Sequence, residues 1–144
     1  MSMYETIGTS TPETLLAKAY GADIIGIPCQ PGNGIVKRGT IMYRTASGLW
    51  APAATANVVT TNALAILDET VDTTGREIPG EGETTLTVAE DARAFRAGHF
   101  VWGKVTLAND GTVTQAHAIV LMRQGIVFDQ MVSTATFDNT TEND

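Results

Sequence analysis

The sequence predicts a mainly β domain, α+β overall: a small β-barrel or mixed β core with one short C-terminal α-helix and an extended N-terminal arm. Three observations predict it. Short runs of β-branched and aromatic residues recur between turns that carry glycine, proline and asparagine. Of the 144 residues 43% are hydrophobic and only 17% charged, and threonine is abundant, which suits one β-rich core better than a helical bundle. One stretch, about Thr114 to Gln124, has a cap at its start and a glycine at its end, as a helix should.

Taken in order, the chain divides into an arm (1–34), a β-rich body (35–128) and an extension (129–144). The first 21 residues are polar, with apolar side chains spaced along them. Met3, Tyr4, Ile7, Leu15, Leu16 and Tyr20 are the candidate anchors of an arm that gains structure by lying on another surface. Thr11-Pro-Glu-Thr14 suits the start of one helical turn. Ala22-Asp-Ile-Ile-Gly-Ile27 is the last strand of the arm or the first of the body, ended by Pro28. Pro31-Gly-Asn-Gly34 reverses the chain.

Ile35 to Arg44 reads as a strand interrupted at Gly39, where an isolated glycine marks a bulge or a close backbone approach. Thr45-Ala-Ser-Gly48 is a turn, Leu49-Trp-Ala51 a return strand, and Ala63-Leu-Ala-Ile-Leu67 a buried one. Thr70 to Glu83 is expected to be a long hydrophilic connection. Strands follow over Thr84–Val88 and Ala97–Val105, separated by the acidic pair Glu90 and Asp91 and a turn. Asn109-Asp-Gly111 is a turn that admits positive φ. In the helix, Thr112 or Thr114 is the N-cap and Gly125 the terminator. Ala116, Ile119, Val120 and Met122 form its expected inward face, with Gln115 and Gln124 outward. Ile126-Val-Phe128 closes the core.

Charge and cysteine content narrow the function. The formal net charge is −7, which opposes phosphate backbones and acidic membranes, so neither nucleic acid nor membrane is an expected partner. Cys29 is the sole cysteine, which excludes an internal disulfide and fits synthesis in a reducing compartment. The opening residues lead us to expect no signal peptide, and no apolar run reaches bilayer length.

Residue patterns for chemistry are weak. Gly34 and Gly39 have the spacing of a phosphate loop, but the lysine after the second glycine is missing. Gly80-Glu-Gly82 lacks the third glycine of a dinucleotide site and stands among carboxylates. His99, His117 and Cys29 show no metal-ligand or activated-thiol spacing. Asp68, Glu69, Asp72 and the acidic stretch from Asp138 to Asp144 do not match a calcium loop. The expectation is therefore no enzyme, no catalytic residue, no cofactor and no metal. Trp50 and Trp102 leave an alternative, a carbohydrate-binding or adhesin-like β domain. A small hydrolase using Cys29 or His99 is a third.

Three segments, Gly34-Ile-Val-Lys-Arg-Gly-Thr40, Ala65-Ile-Leu-Asp-Glu-Thr-Val-Asp-Thr-Thr-Gly75 and Met122-Arg-Gln-Gly-Ile-Val127, stand in the order and spacing of one known family. In these segments the chain resembles the phage head decoration proteins, the lambda-type capsid-stabilising or cement proteins, over about residues 22–128. The N-terminal arm and the extension past Phe128 depart from that pattern. The resemblance implies a viral structural protein that forms homotrimers. It implies attachment to the outer surface of an expanded icosahedral bacteriophage capsid at three-fold and pseudo-three-fold positions. The expected partners are the major capsid protein and other copies of the chain, and the expected location is the virion, after synthesis in the host cytoplasm. The capsid-binding residues would be the arm anchors Met3, Tyr4, Ile7, Leu15, Leu16 and Tyr20.

Overall fold

A computed structural model describes residues 15–18, 21–74, 76–79 and 85–129. The strands, in chain order, are β1 (Asp23–Cys29), β2 (Ile35–Val36), β3 (Ile41–Arg44), β4 (Trp50–Pro52) and β5 (Leu64–Leu67). They continue with β6 (Val71–Asp72), β7 (Arg76–Pro79), β8 (Thr85–Val88) and β9 (Glu90–Val101), and, after helix α1 (Gln115–Met122), β10 (Ile126–Asp129). The fold is mainly β with a five-stranded mixed barrel at its centre, as the sequence predicts.

The run Leu64-Ala-Ile-Leu67 shows how the core is built. All four residues are buried, yet successive side chains of a strand point to opposite faces. Leu64 and Ile66 therefore join one apolar cluster, and Ala65 and Leu67 another. Ile41 and Met42 of β3 divide in the same way. The second cluster draws Ile27 and Cys29 from β1, Met42 from β3, Trp50 from β4 and Ala92 and Ala94 from β9, so every barrel strand feeds it. It is the barrel interior, and its alanines suit the narrow space that five strands enclose. The first cluster lies on the outer face, under α1, β10 and the Val105–Val113 segment.

The ring runs β1-β4-β3-β5-β9 and returns to β1, with β10 attached to the free length of β9. β1 and β9 share seven antiparallel pairs, from Asp23↔Ala97 to Cys29↔Glu90. The register slips between Asp23 and Ile24, which leaves Arg96 as an extra residue in β9. Such a bulge bends the strand. Beyond it β9 leaves the ring and pairs in parallel with β10, Gly98↔Ile126 through Val101↔Asp129. Arg96 Nε donates back to Asp23 Oδ2 at 2.7 Å.

Gly39 makes the close approach expected of it. Its φ is +95°, and a Cβ built there would lie 2.6 Å from the backbone oxygen of Lys104. Without that side chain, Gly39 N–H donates to the Leu67 carbonyl (2.8 Å) and Thr106 N–H donates to the Gly39 carbonyl (3.0 Å). This break in the apolar run separates β2 from β3. Asn109 and Asp110 take the expected positive φ, 57° and 60°.

Four expectations are corrected. The body begins before residue 35: β1 belongs to the barrel, and Leu15 is only 3% exposed within the outer cluster. Thr70 to Glu83 is not one loop, because β6 pairs with β2 and β7 with β8. Glu90 and Asp91 do not form a turn but open the 12-residue β9. Its charges sit on exposed positions, where Arg93 faces Asp68 (3.8 Å) and Glu69 (3.9 Å). Finally, the inward face of α1 is His117, Ala118 and Leu121, while Ala116, Ile119 and Met122 face out. Gln124, expected outside, accepts from Leu64 N–H (3.0 Å) through Oε1 and donates to the Asn62 carbonyl (2.7 Å).

Candidate interaction surface

Helix α1 reads Gln-Ala-His-Ala-Ile-Val-Leu-Met, apolar nearly all the way round. An amphipathic pattern is therefore missing, and one set of apolar residues is left over whichever way the helix turns. Its start fixes the rotation. Thr114 is the N-cap; its backbone N–H donates to His117 Nδ1 (3.0 Å), and the His117 backbone N–H donates to Thr114 Oγ1 (3.5 Å). This reciprocal cap folds the imidazole inward and leaves it 7% exposed. Ala118 and Leu121 follow it into the core.

Ile119 and Met122 are left 51% and 56% exposed. With Gln115, Ala118, Val127 and Phe128 they line an open apolar groove of about 160 Å³ between α1 and β10. None of the six carries a formal charge. The sequence held the signal, a helix with no polar face, but assigned these side chains to the interior.

The arm anchors divide. Leu15 is committed to the chain's own core and Leu16 is half-buried against it. Leu16 bridges Phe100 in antiparallel fashion, Ala17 N–H donates to the His99 carbonyl (2.8 Å), and Val101 N–H donates to the Leu15 carbonyl (3.0 Å). Neither leucine is available as a free anchor. Met3, Tyr4, Ile7 and Tyr20 lie outside the described residues.

The groups with reactive potential are engaged in structure. Cys29 is fully buried in the barrel, with its thiol turned toward the Ile27 carbonyl (3.9 Å). Burial, reinforced by the carboxylates of Asp91, Glu69 and Glu90, pushes the thiol up from 9.0 to about 11. A thiol kept protonated is a poor nucleophile. His99 Nδ1 meets Asp129 Oδ1 at 3.2 Å and ties the end of β10 to β9. Trp50 is buried in the barrel interior, whereas Trp102 stacks edge-on against Phe128 in the outer cluster, 5.2 Å between centroids. The two indoles therefore make no joint exposed platform.

Glu69, Asp72, Glu90 and Asp91, with Thr70, Val71 and Thr74, line an open depression of about 480 Å³. The Thr74 hydroxyl and backbone N–H hold the Asp72 carboxyl below its usual range. Among the described residues no group of three or more His, Cys, Asp or Glu side chains is placed to hold a metal ion. Among them, too, no helix is long and apolar enough to cross a membrane.

Of the three segments that carry the family resemblance, the first two meet in space. Gly34 supplies its carbonyl to the Thr73 backbone N–H (2.7 Å) and to the Thr73 hydroxyl (2.7 Å). Arg38 N–H donates to Thr70 Oγ1 (3.1 Å), and Arg38 Nε approaches Asp68 Oδ1 (3.4 Å). Gln124, in the third segment, clasps the backbone where β5 begins, just before the second. No protein-family model matches the chain, and comparison with curated proteins finds no match either.

Proposed function

We propose that this chain is a phage head decoration protein, which binds the outer surface of an expanded icosahedral capsid as trimers and fastens neighbouring copies of the major capsid protein. One observation carries the reading. The first two motif segments, about 30 residues apart in sequence, are joined by hydrogen bonds from Thr73 to Gly34 and from Arg38 to Thr70. Gln124 of the third bonds to Asn62 and Leu64, directly before the second, which supports reading the three as parts of one structural unit. The same body is a rigid β-barrel with an unattached apolar face and chain extending beyond it at both ends, as a fastener needs.

Trimer contact falls on the α1/β10 groove. Copies of a chain with net charge −7 repel one another over most of their surface, and an uncharged apolar face is where that repulsion is least and desolvation most favourable. Binding to the expanded lattice alone stabilises that lattice by RT ln(1 + [L]/Kd) per site, and a trimer multiplies the effect through effective concentration.

The test is co-sedimentation of the purified chain with expanded and unexpanded heads built from the shell protein encoded beside it, followed by heating of the particles. Retention on expanded heads, with a higher disruption temperature, is expected. A chain lacking residues 2–14 keeps Leu15, and so keeps its core, but should lose attachment. No retention on expanded heads, or equal retention on both kinds, would falsify the proposal.

A further inference from the structure

We propose that Asn33 is a site of spontaneous covalent modification: it loses its side-chain amide to the backbone nitrogen of Gly34, and the isoaspartate that results loosens the turn's hold on Thr73. The site stands independently of the capsid-fastening reading.

The chemistry is an attack within the chain. The Gly34 nitrogen gives up its proton and bonds to Asn33 Cγ, the Cγ–Nδ2 bond breaks, and ammonia leaves, which closes a succinimide ring. Water then opens the ring. Addition at Cγ leaves aspartate; addition at the former main-chain carbonyl leaves isoaspartate, in which the chain runs through the side chain. Water is the only reactant consumed, and asparagine counts among the thermolabile residues.

The turn at 31–34 leaves ring closure unobstructed. Asn33 and Gly34 are both exposed. Gly34 has no side chain to screen its nitrogen, and a Cβ built there would meet nothing within 4 Å. No described group accepts a hydrogen bond from the Gly34 N–H. The Asn33 carboxamide is held only through Nδ2, which donates to the Gln30 carbonyl (3.2 Å) and reaches Gln30 Oε1 at 3.4 Å. Its Cγ therefore stays open to attack. The other asparagines among the described residues precede Val58, Ala63 and Asp110, whose side chains crowd the nucleophile. Two of them are also tied down: Asn57 Oδ1 accepts from Ala54 N–H (2.9 Å), and Asn62 Nδ2 donates to the Asn57 carbonyl (2.9 Å).

Main-chain length matters at this position. Asn33 N–H donates to Thr73 Oγ1 (3.0 Å), while the Gly34 carbonyl accepts from the Thr73 backbone N–H and hydroxyl, each at 2.7 Å. Thr73 is only 1% exposed. Isoaspartate inserts one carbon, about 1.5 Å of chain, between Asn33 Cα and the Gly34 nitrogen, so the two residues no longer fit Thr73 together. A buried hydroxyl then loses its partners, and the adjoining pair Ile35↔Asp72 of β2 and β6 loosens. Each event also adds one negative charge to the −7 the chain carries.

The experiment ages the purified full chain in warm, mildly alkaline buffer, folded and in urea. Peptide mass spectrometry and labelling by an isoaspartyl methyltransferase follow each asparagine. Conversion of amide to acid is expected at Asn33 well ahead of Asn57, Asn62 and Asn109, with the isoaspartyl label on the same peptide. Its rate in the folded chain should lie within about tenfold of that in urea, because an exposed turn opens at little cost. The aged parent should melt several degrees lower. Asn33→Gln aged alike, and fresh Asn33→Asp, which has the charge without the extra carbon, should melt near the fresh parent. Conversion at Asn33 in urea but not in the folded chain, or no faster there than at Asn57 and Asn62, overturns the site. Conversion to isoaspartate with an unchanged melting temperature overturns its effect on Thr73.

Discussion

Replacing Gly39 with alanine tests whether the barrel depends on the backbone approach between Gly39 and Lys104. Two costs add. A residue with a Cβ forced to φ +95° is strained by about 1–3 kcal/mol. The new Cβ would also sit 2.6 Å from the Lys104 oxygen, a separation that real Cβ atoms essentially never show, so backbone must move. That movement loosens the 2.8 Å bond to Leu67 and the 3.0 Å bond from Thr106, each worth about 1 kcal/mol net. The total is about 3–5 kcal/mol. For a domain of this size it lowers the melting temperature by roughly 10–20 °C. Gly32→Ala is the control, since Gly32 has nearly the same φ, +96°, but nothing within 4 Å of the added Cβ. It should cost only the strain. Thermal melts and urea titrations of the three proteins decide the matter. Equal losses in the two variants would refute the argument from close approach.

Two further outcomes follow from the buried thiol and the exposed helix face. Between pH 9 and 11 the Cys29 thiol ionises in the unfolded chain while the folded chain keeps its proton, so stability falls as pH rises. Measured by urea unfolding, the parent should lose about 1 kcal/mol per pH unit more than Cys29→Ala over that range; parallel curves would exclude a thiol protected by burial. Met122→Glu places a charge in the α1/β10 groove without disturbing the core, since Met122 is 56% exposed. Its melting temperature should stay within a few degrees of the parent's, and the trimer proposed above further requires sedimentation to shift from about three times the 15.2 kDa of one chain toward a single copy. A variant that sediments as the parent does would remove the groove from the subunit contact.

What could be read in the sequence was whatever local chemistry decides. Gly39 announced a close approach because glycine weakens a strand unless its missing side chain is useful, and Leu64–Leu67 announced burial on both faces through an unbroken apolar run. Long-range pairing decided the rest. Arg93 and Arg96 fall where the sequence suggested a turn, yet they sit in a barrel strand whose neighbours supply Asp68, Glu69 and Asp23. Nothing local says that Leu15 pairs beside Val101, 86 positions later, so its place in the core was invisible. The rotation of α1 was misread for a different cause. With almost no polar position to break the symmetry, the deciding interaction was one imidazole reaching back to the Thr114 amide.

The pairing of β1 with β9 also governs when the molecule can fold. A ribosome releases Asp23–Cys29 long before Glu90–Ala97, the strand that will hold it along seven residue pairs. Closing so large a span costs loop entropy before any contact compensates it. The barrel is therefore assembled late, after most of the chain has emerged, and nascent chains stopped short of about residue 101 lack the strand that closes it. Until that moment the apolar runs Ala22–Ile27 and Ala63–Leu67 lack the strand that covers them, which is when newly made copies are most prone to associate.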